Sequence, residues 1–290
     1  MKKAFIYLHI AIFLAGFTGI IGKYITLNEG LLVWYRLMIS AATLWIFFLW
    51  KRKIRRISKS DILKLAGIGF LSALHWVTFF GSVKYANVSV ALVCFSSVGF
   101  FTAVLEPLIS RKRMRLFDLL LGIMVIAGIY IIFHFDTRFK TGIVLGVLSA
   151  LLLAFVMIFI RQSVQRISPE TLLTWQLSGG FLTLTLLLPF YLQVFPATHI
   201  WPSARDWFWL LLLSWFCSVI AFQLSVSALK KLSAFTVNLS YNLEPVYGIL
   251  LAFLLFHENR DLDASFFIGL GLIILSLLLQ MLRIRYNRAG

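Results

Sequence analysis

The sequence predicts an all-α integral membrane protein of ten transmembrane helices, built as a 5+5 inverted repeat. Three observations carry this expectation. The 290-residue chain is 61% hydrophobic and 13% charged, with a mean hydropathy of +0.93, whereas soluble domains are roughly 45–50% apolar and about a quarter charged. Apolar runs long enough to cross about 30 Å of hydrocarbon, roughly 20 helical residues, follow one another from end to end and leave no room for a soluble domain. The two halves can also be laid over each other at a constant offset, and an odd number of spans per half makes the second enter the membrane from the opposite side.

The spans lie between charged or turn-rich breaks. Span 1 covers 4–25; its start, MKKAFIYLHIAIFLAGFTG, looks like a signal peptide, but no small-x-small cleavage site follows and the apolar run continues through Ile25. Spans 2 to 5 cover 31–50, 62–83, 88–109 and 117–134. Spans 6 to 10 cover 142–160, 171–190, 207–228, 234–256 and 264–282. Each is too long for a barrel strand and none alternates. In span 6, Gly142, Gly146, Ala150 and Ala154 recur every four residues, a small-residue seam that lets a neighbouring backbone approach. Such a seam serves either the contact between the repeats, the reading preferred here, or a homodimer.

The offset is 146 residues: SVKYANVSVA (82–91) falls on ALKKLSAFTV (228–237), and VGFFTAVLEPL (98–108) on EPVYGILLAFL (244–254). Gly99 and Pro245, both helix breakers, share one repeat position and are the candidate hinges. The repeats are taken as 1–140 and 141–290. Inverted repeats are characteristic of secondary transporters, whose sites lie near the midplane between the halves.

The net charge of +16 suggests nucleic acid only if it forms a face or stripe, and here the basic residues sit in short loops. With the N-terminus inside, twenty lie on the inner side, in the N-terminus, KRKIRRISK with Lys64, RKRMR, Arg161, Arg166, Lys230, Lys231 and the C-terminal tail. Five lie outside: Lys84, Arg138, Lys140, Arg205 and Arg260. This bias places both termini in the cytoplasm, with anionic lipid and no nucleic acid as the partner of the positive charge. Cys94 and Cys217 fall in apolar runs with no CxxC and no nearby His, so they read as buried small side chains.

An ionisable residue within hydrocarbon is a functional candidate by default. Glu244 lies centrally in span 9, and Pro245 after it lacks an N–H and clashes with the carbonyl of Tyr241, which opens the backbone beside a proton- or cation-receptive group. The plainer reading is a neutral carboxyl that satisfies the freed carbonyl. Lys23 and Arg36 fall near the outer ends of their spans, where they either snorkel to the interface or line an outward vestibule that draws in anionic groups. Glu106 beside RKRMR reads as a structural pair or cap. His75 and Trp76, in the outer half of span 3, read as neutral packing or as part of a proton relay. Spacings of three turn Asn238, Tyr241 and Glu244 toward a common side of span 9, with Asn242 elsewhere.

These residues carry a resemblance. AGFTGIIGK supplies Gly16 and Lys23, YRLMISAA supplies Arg36, and LEPVYGILLAFLLFHE supplies Glu244, Pro245 and Glu258. Together they resemble the ten-span EamA-type members of the drug/metabolite transporter superfamily, over nearly the whole chain. Ala15 stands where that family usually has tryptophan, and Gly99 replaces its first-half proline. The resemblance implies a transporter, with cargo ranging over amino acids, drugs, nucleobase-type metabolites and nucleotide sugars.

The expected function is thus secondary transport of a small polar metabolite such as an amino acid, in the direction of export, across a bacterial inner membrane. Protons are the candidate coupling ion, and no cofactor or metal is expected. A carrier or flippase for lipid-linked or nucleotide sugars is the alternative. An intramembrane enzyme would need a nucleophile–base pair, an HExxH-like set or paired aspartates within spans, and the spans carry none. No phosphate-binding loop of the GxxxxGK type occurs, so a gradient must supply the energy.

Overall fold

The computed structural model describes residues 2–111, 113–114, 116–135, 137–241 and 243–286, and every regular element among them is helical. Span 1 consists of α1 (Lys2–Gly16) and α2 (Thr18–Tyr24), span 2 is α3 (Glu29–Trp50), and span 3 is α4 (Lys59–Tyr85). Span 4 divides into α5 (Val88–Phe95) and α6 (Val98–Ser110); α7 (Leu116–Phe135), α8 (Lys140–Ser163) and α9 (Pro169–Val194) are spans 5 to 7. Span 8 runs through α10 (Ala204–Leu212), a π-helical stretch (Leu213–Ile220) and α11 (Ala221–Leu229). Helices α12 (Ala234–Tyr241) and α13 (Leu243–Phe256) make up span 9, and α14 (Ala264–Tyr286) is span 10. Among the described residues, seven spans are long and apolar enough to cross a membrane, and Leu116–Ile132, Leu243–Phe256 and Ala264–Ser276 are shorter apolar helices at the places of spans 5, 9 and 10.

Polar residues in the loops start the helices. Asn28, Ser58, Asn87 and Ser168 each accept from the backbone N–H three residues on, at 2.8, 3.1, 2.8 and 3.4 Å, satisfying a donor that the first turn leaves open. Ser203 and Asp206 form a reciprocal capping box on α10.

Two spans break where no proline stands. Span 1 interrupts at Phe17, whose N–H turns tightly onto the carbonyl of Leu14 at 3.3 Å. Span 4 interrupts at Ser96–Ser97, just before Gly99, which lies in the first turn of α6. The two serine hydroxyls bond back to the carbonyls of Leu92 (3.2 Å) and Cys94 (2.7 Å), a local competition with the helix ladder that favours a break. Pro245 falls in the first turn of α13, where a missing N–H costs little. Asn242 lies outside the described residues.

Packing repeats between the halves. Span 3 packs on spans 6 and 7, and its counterpart, span 8, packs on spans 1 and 2; span 4 meets span 6 as span 9 meets span 1. Spans 2 and 7, 4 and 9, and 5 and 10 meet their own counterparts. A two-fold relation between the halves produces this set. The seam of span 6 is used inside the chain: a Cβ on Gly142 would lie 2.4 Å from Ala86 Cβ, and one on Gly146 2.7 Å from Cys94 Cβ. Spans 3 and 7 cross as closely, with the Gly69 position 2.0 Å from the carbonyl oxygen of Gln176.

The end of the bundle away from the N-terminus, the distal end, is bolted by polar contacts. Lys23 Nζ pairs with Glu258 Oε1 at 2.7 Å and lies over the Phe256 ring at 4.2 Å. Glu258 also accepts from Val88 N (3.1 Å), Ser89 N (2.9 Å) and Ser89 Oγ (2.6 Å), so one carboxylate ties spans 1, 4 and 9 together. Asp206 accepts from Thr26 N and Oγ1 at 2.7 and 2.9 Å, Tyr191 donates to Glu29 at 2.5 Å, and Lys84 donates to the carbonyl of Leu27.

Candidate functional site

Spans 1, 2, 3, 4, 6, 8 and 9 converge on a cavity of about 50 Å³ near the middle of the bundle. That is room for a water or two, whereas sites for drug-sized ligands measure about 300–1,000 Å³. A metabolite enters only if the helices part, and the breaks at Phe17 and Ser96–Ser97 flank the wall residues Thr18 and Phe95.

Arg36, two turns into α3, is 2% exposed and faces this cavity, so the structure places it neither at the interface nor in an outer vestibule. Its guanidinium carbon lies over the Trp76 ring at 4.4 Å and is 5.7 Å from that of Phe80, arrangements in which the ring faces attract the cation. Nε donates to Ser218 Oγ at 2.6 Å and Nη2 to the carbonyl of Cys217 at 3.4 Å. Nη1 is buried and has no hydrogen-bond partner among the described residues. Leaving a buried charged donor unmade costs at least about 1–3 kcal/mol.

Glu244 is 5% exposed, lines the same cavity, and makes no hydrogen bond or ion pair with a described residue beyond the field of Arg36. One cavity thus holds a guanidinium with a donor, and a carboxyl with acceptors, that no described residue takes up. Tyr241, one turn back, shares the wall as the spacing of span 9 anticipated, and its hydroxyl bonds Ser225. The side chain of Asn238 lies outside the described residues, although its backbone belongs to α12.

His75 and Trp76 line the cavity too. Nδ1 of His75 reaches the carbonyl of Ser149 at 3.0 Å and Ser149 Oγ at 2.8 Å, while Ser149 Oγ donates to the carbonyl of His75 at 3.1 Å. With Nδ1 as the donor, Nε2 is left as an acceptor. Lys23 is not brought to the cavity; it belongs to the distal bolt. Glu106 sits near the end of α6, ahead of Pro107.

Sequence reasoning missed Thr18, Cys217, Ser218 and Phe222. Cys217 is free and lines the cavity, and its Sγ donates to the carbonyl of Leu14 at 3.2 Å, which the break in span 1 exposes. A signal for Phe222 was available in the repeat. His75 and Ala221, Trp76 and Phe222, and Phe95 and Tyr241 are each 146 residues apart, and all six line the cavity. Trp76 and Phe222 meet edge to face at 6.0 Å.

Comparison with known proteins agrees with this architecture. The model of the EamA-like transporter family matches twice, over residues 2–134 and 140–282. An uncharacterized transporter of Archaeoglobus fulgidus is 24% identical over 269 residues, 87% of this chain and 89% of that protein. The crystal structure of another protein superposes with a TM-score of 0.67 over 95% of this chain and 96% of that one at 18% identity, a likeness of fold alone. Two matches in tandem cover most of the chain, one per half, and the chain belongs to the EamA-like transporter family, membrane transporters of the drug/metabolite type.

Proposed function

We propose that this transporter exports a small zwitterionic metabolite, an amino acid or a compound like it, by alternating access around the central cavity. The observation that carries the reading is the burial of Arg36 and Glu244 in one cavity with donor and acceptor capacity to spare. A solute bearing one negative and one positive group satisfies both, whereas a dianion would confront Glu244 and a simple cation would confront Arg36. Glu244 serves in turn as the proton carrier when the cavity is empty, so protons couple the cycle.

The charge bias of the loops supports cytoplasmic termini in a bacterial inner membrane, which makes the distal end the outer one. Its bolts then close the outward path. Rocking of 1–140 against 141–290 would part Glu258 from Lys23 and Ser89 and open it. For lipid-linked sugars, a lateral cleft of about 420 Å³ between α6, α7 and α8 is lined by Phe101, Ile129 and five aliphatic residues of α8; it offers nothing to a head group.

The test is a thermal-shift screen of purified protein against amino acids, nucleobases, sugars and sugar nucleotides, followed by counterflow in proteoliposomes with the ligands found. Only a ligand of the folded form raises stability. Stabilisation by small amino acids and their exchange across the vesicle are expected; stabilisation by sugar nucleotides or nucleobases alone would refute the zwitterion reading.

A further inference from the structure

We infer that Ser218, together with the carbonyl of Cys217, is the positioning group that aims Arg36 into the cavity and holds it apart from Glu244. The π-helical stretch of span 8 thereby sets selectivity for a carboxylate-bearing solute. The selectivity clause rests on the solute reading above; the positioning clause does not.

A π-helical turn closes on the fifth residue back rather than the fourth and is concentrated at functional sites. Here Ser218 Oγ donates to the carbonyl of Leu213, five residues back, at 3.1 Å. Its proton is thus committed within span 8, and its lone pair faces span 2, where it receives Arg36 Nε at 2.6 Å. The backbone that carries Arg36 is held to the same stretch: Ser214 Oγ donates to the carbonyl of Arg36 at 3.3 Å, and Ser40 Oγ to the carbonyl of Ser214 at 3.4 Å. With Nε and Nη2 engaged on span 8, the planar guanidinium presents its Nη1 edge elsewhere, and Nη1 is the atom that stands buried without a partner among the described residues.

The other half of the chain contains the same bolt. Ser72, 146 residues before Ser218, receives Gln176 Nε2 from span 7 at 2.8 Å and donates to Ile68 four residues back. In both halves a serine at this position takes a donor from the opposite repeat. Only the second half has a cation as donor, and only there does the serine bond back across a π turn rather than an α turn. Without the Ser218 hydroxyl, Nε loses its partner while Glu244 remains open in the same cavity. The guanidinium then turns across the Trp76 face and pairs with Glu244, and the site neutralises itself.

Two measurements test this. A cryo-EM or crystal structure of Ser218→Ala should show the guanidinium within ion-pair distance of Glu244; a guanidinium still lying against span 8 overturns the positioning role whatever the solute. In parallel, binding of L-alanine, L-serine and L-threonine is compared with that of their carboxamides. Wild type should prefer the acids, and Ser218→Ala should weaken the acids about tenfold or more and the amides less than about threefold, as loss of one charge-assisted contact entails. The change should fall on KM rather than on the maximal rate, and Ser218→Thr, which keeps the hydroxyl, should restore it. Equal weakening of acids and amides, or no recovery with threonine, overturns the selectivity clause. If wild type binds none of these amino acids, the solute reading has failed, and the Ser218→Ala structure still decides the positioning role.

Discussion

Glu258 gives the sharpest test of how the distal end is closed. Replacing it with glutamine keeps size and shape but leaves one acceptor oxygen where there were two. If that oxygen stays toward Lys23 and Val88 N, the new amide donor faces Ser89 N and Ser89 Oγ, formerly 2.9 and 2.6 Å from Oε2. If the amide flips, Lys23 and Val88 N are abandoned instead. Either way the charge assistance is lost and at least one backbone N–H is left without an acceptor at a residue 2% exposed, and breaking one side of a buried charged network costs about 3–5 kcal/mol. About 3 kcal/mol corresponds to roughly a hundredfold change in the ratio of closed to open distal ends. Cys217 in the cavity wall is a built-in reporter. In a Cys94→Ala background, an impermeant maleimide added outside should label Glu258→Gln up to about a hundredfold faster than the parent, and where the closed state is the only stable one the apparent Tm should fall by roughly 6–12 °C instead. Lys23→Ala should act more weakly, about 1 kcal/mol, because the Lys23 side chain is 35% exposed and solvent already screens it. Labelling within twofold of the parent, with Tm unchanged, would refute the view that this carboxylate closes the distal path.

Further expectations follow from the packing and the cavity. Gly69→Ala puts a Cβ 2.0 Å from the Gln176 carbonyl oxygen and 2.5 Å from Gly180 N; neither backbone atom can yield, so spans 3 and 7 must separate, lowering apparent stability by about 3 kcal/mol or more, whereas Gly67→Ala, which meets nothing within 4 Å, should be neutral or gain up to about 1 kcal/mol from helix propensity. Thermal unfolding in detergent distinguishes the pair. Glu244→Gln should insert and fold yet lose dependence of transport on the pH gradient, and Pro245→Ala should slow exchange between states with less effect on binding; normal transport by Glu244→Gln across the pH range would make that carboxylate a structural plug. Reporter fusions after Gly290 and in 51–59 should read cytoplasm and one in 196–206 the outside, and an outside reading at the C-terminus would remove the proposed topology.

Most of the fold could be read from composition because hydrocarbon imposes one rule: every backbone polar group must be satisfied within its own helix. Expected span ends agree with the helices within a few residues, and the loop serines and asparagines that cap them sharpen the starts. Interruptions were less legible. The sequence points to Gly99 and Pro245, but span 4 breaks at two serines whose hydroxyls rival the backbone, and span 1 breaks at Phe17 between Gly16 and Gly19. Nothing in LSWFCSVI marks a π-helical stretch, since no proline or glycine occurs in it. The site was legible one helix at a time. Period alone put Tyr241 and Glu244 on a shared face, but the convergence of Arg36, Trp76 and Ser218 from spans 2, 3 and 8 is a tertiary fact. Arg36 looked interfacial because only its distance from the helix end, and not the face it takes, can be counted along a chain.

The repeat explains where the cavity lies, and departures from the repeat explain what it can bind. Trp76 with Phe222 and Phe95 with Tyr241 occupy equivalent positions on opposite walls, so an approximate two-fold axis runs between them and the walls match in shape. The charged groups do not follow that axis. The counterpart of Arg36, counted from the matched caps Asn28 and Ser168, is the buried, neutral Gln176, and the counterpart of Glu244 is the buried Val98; His75 corresponds to Ala221. A strictly symmetric chain would carry either no charge in this cavity or two charges of each sign, and four charges in so small and buried a space would cost more solvation than their pairing returns. One guanidinium and one carboxyl, each carried by a different half of the chain, leave a cavity that is polar across its width. In the proposed rocking cycle Arg36 moves with the first half and Glu244 with the second, so the separation of the two groups would change between states. A zwitterion that spans them would bind the two states unequally, and that difference is the largest shift in their balance its binding can produce.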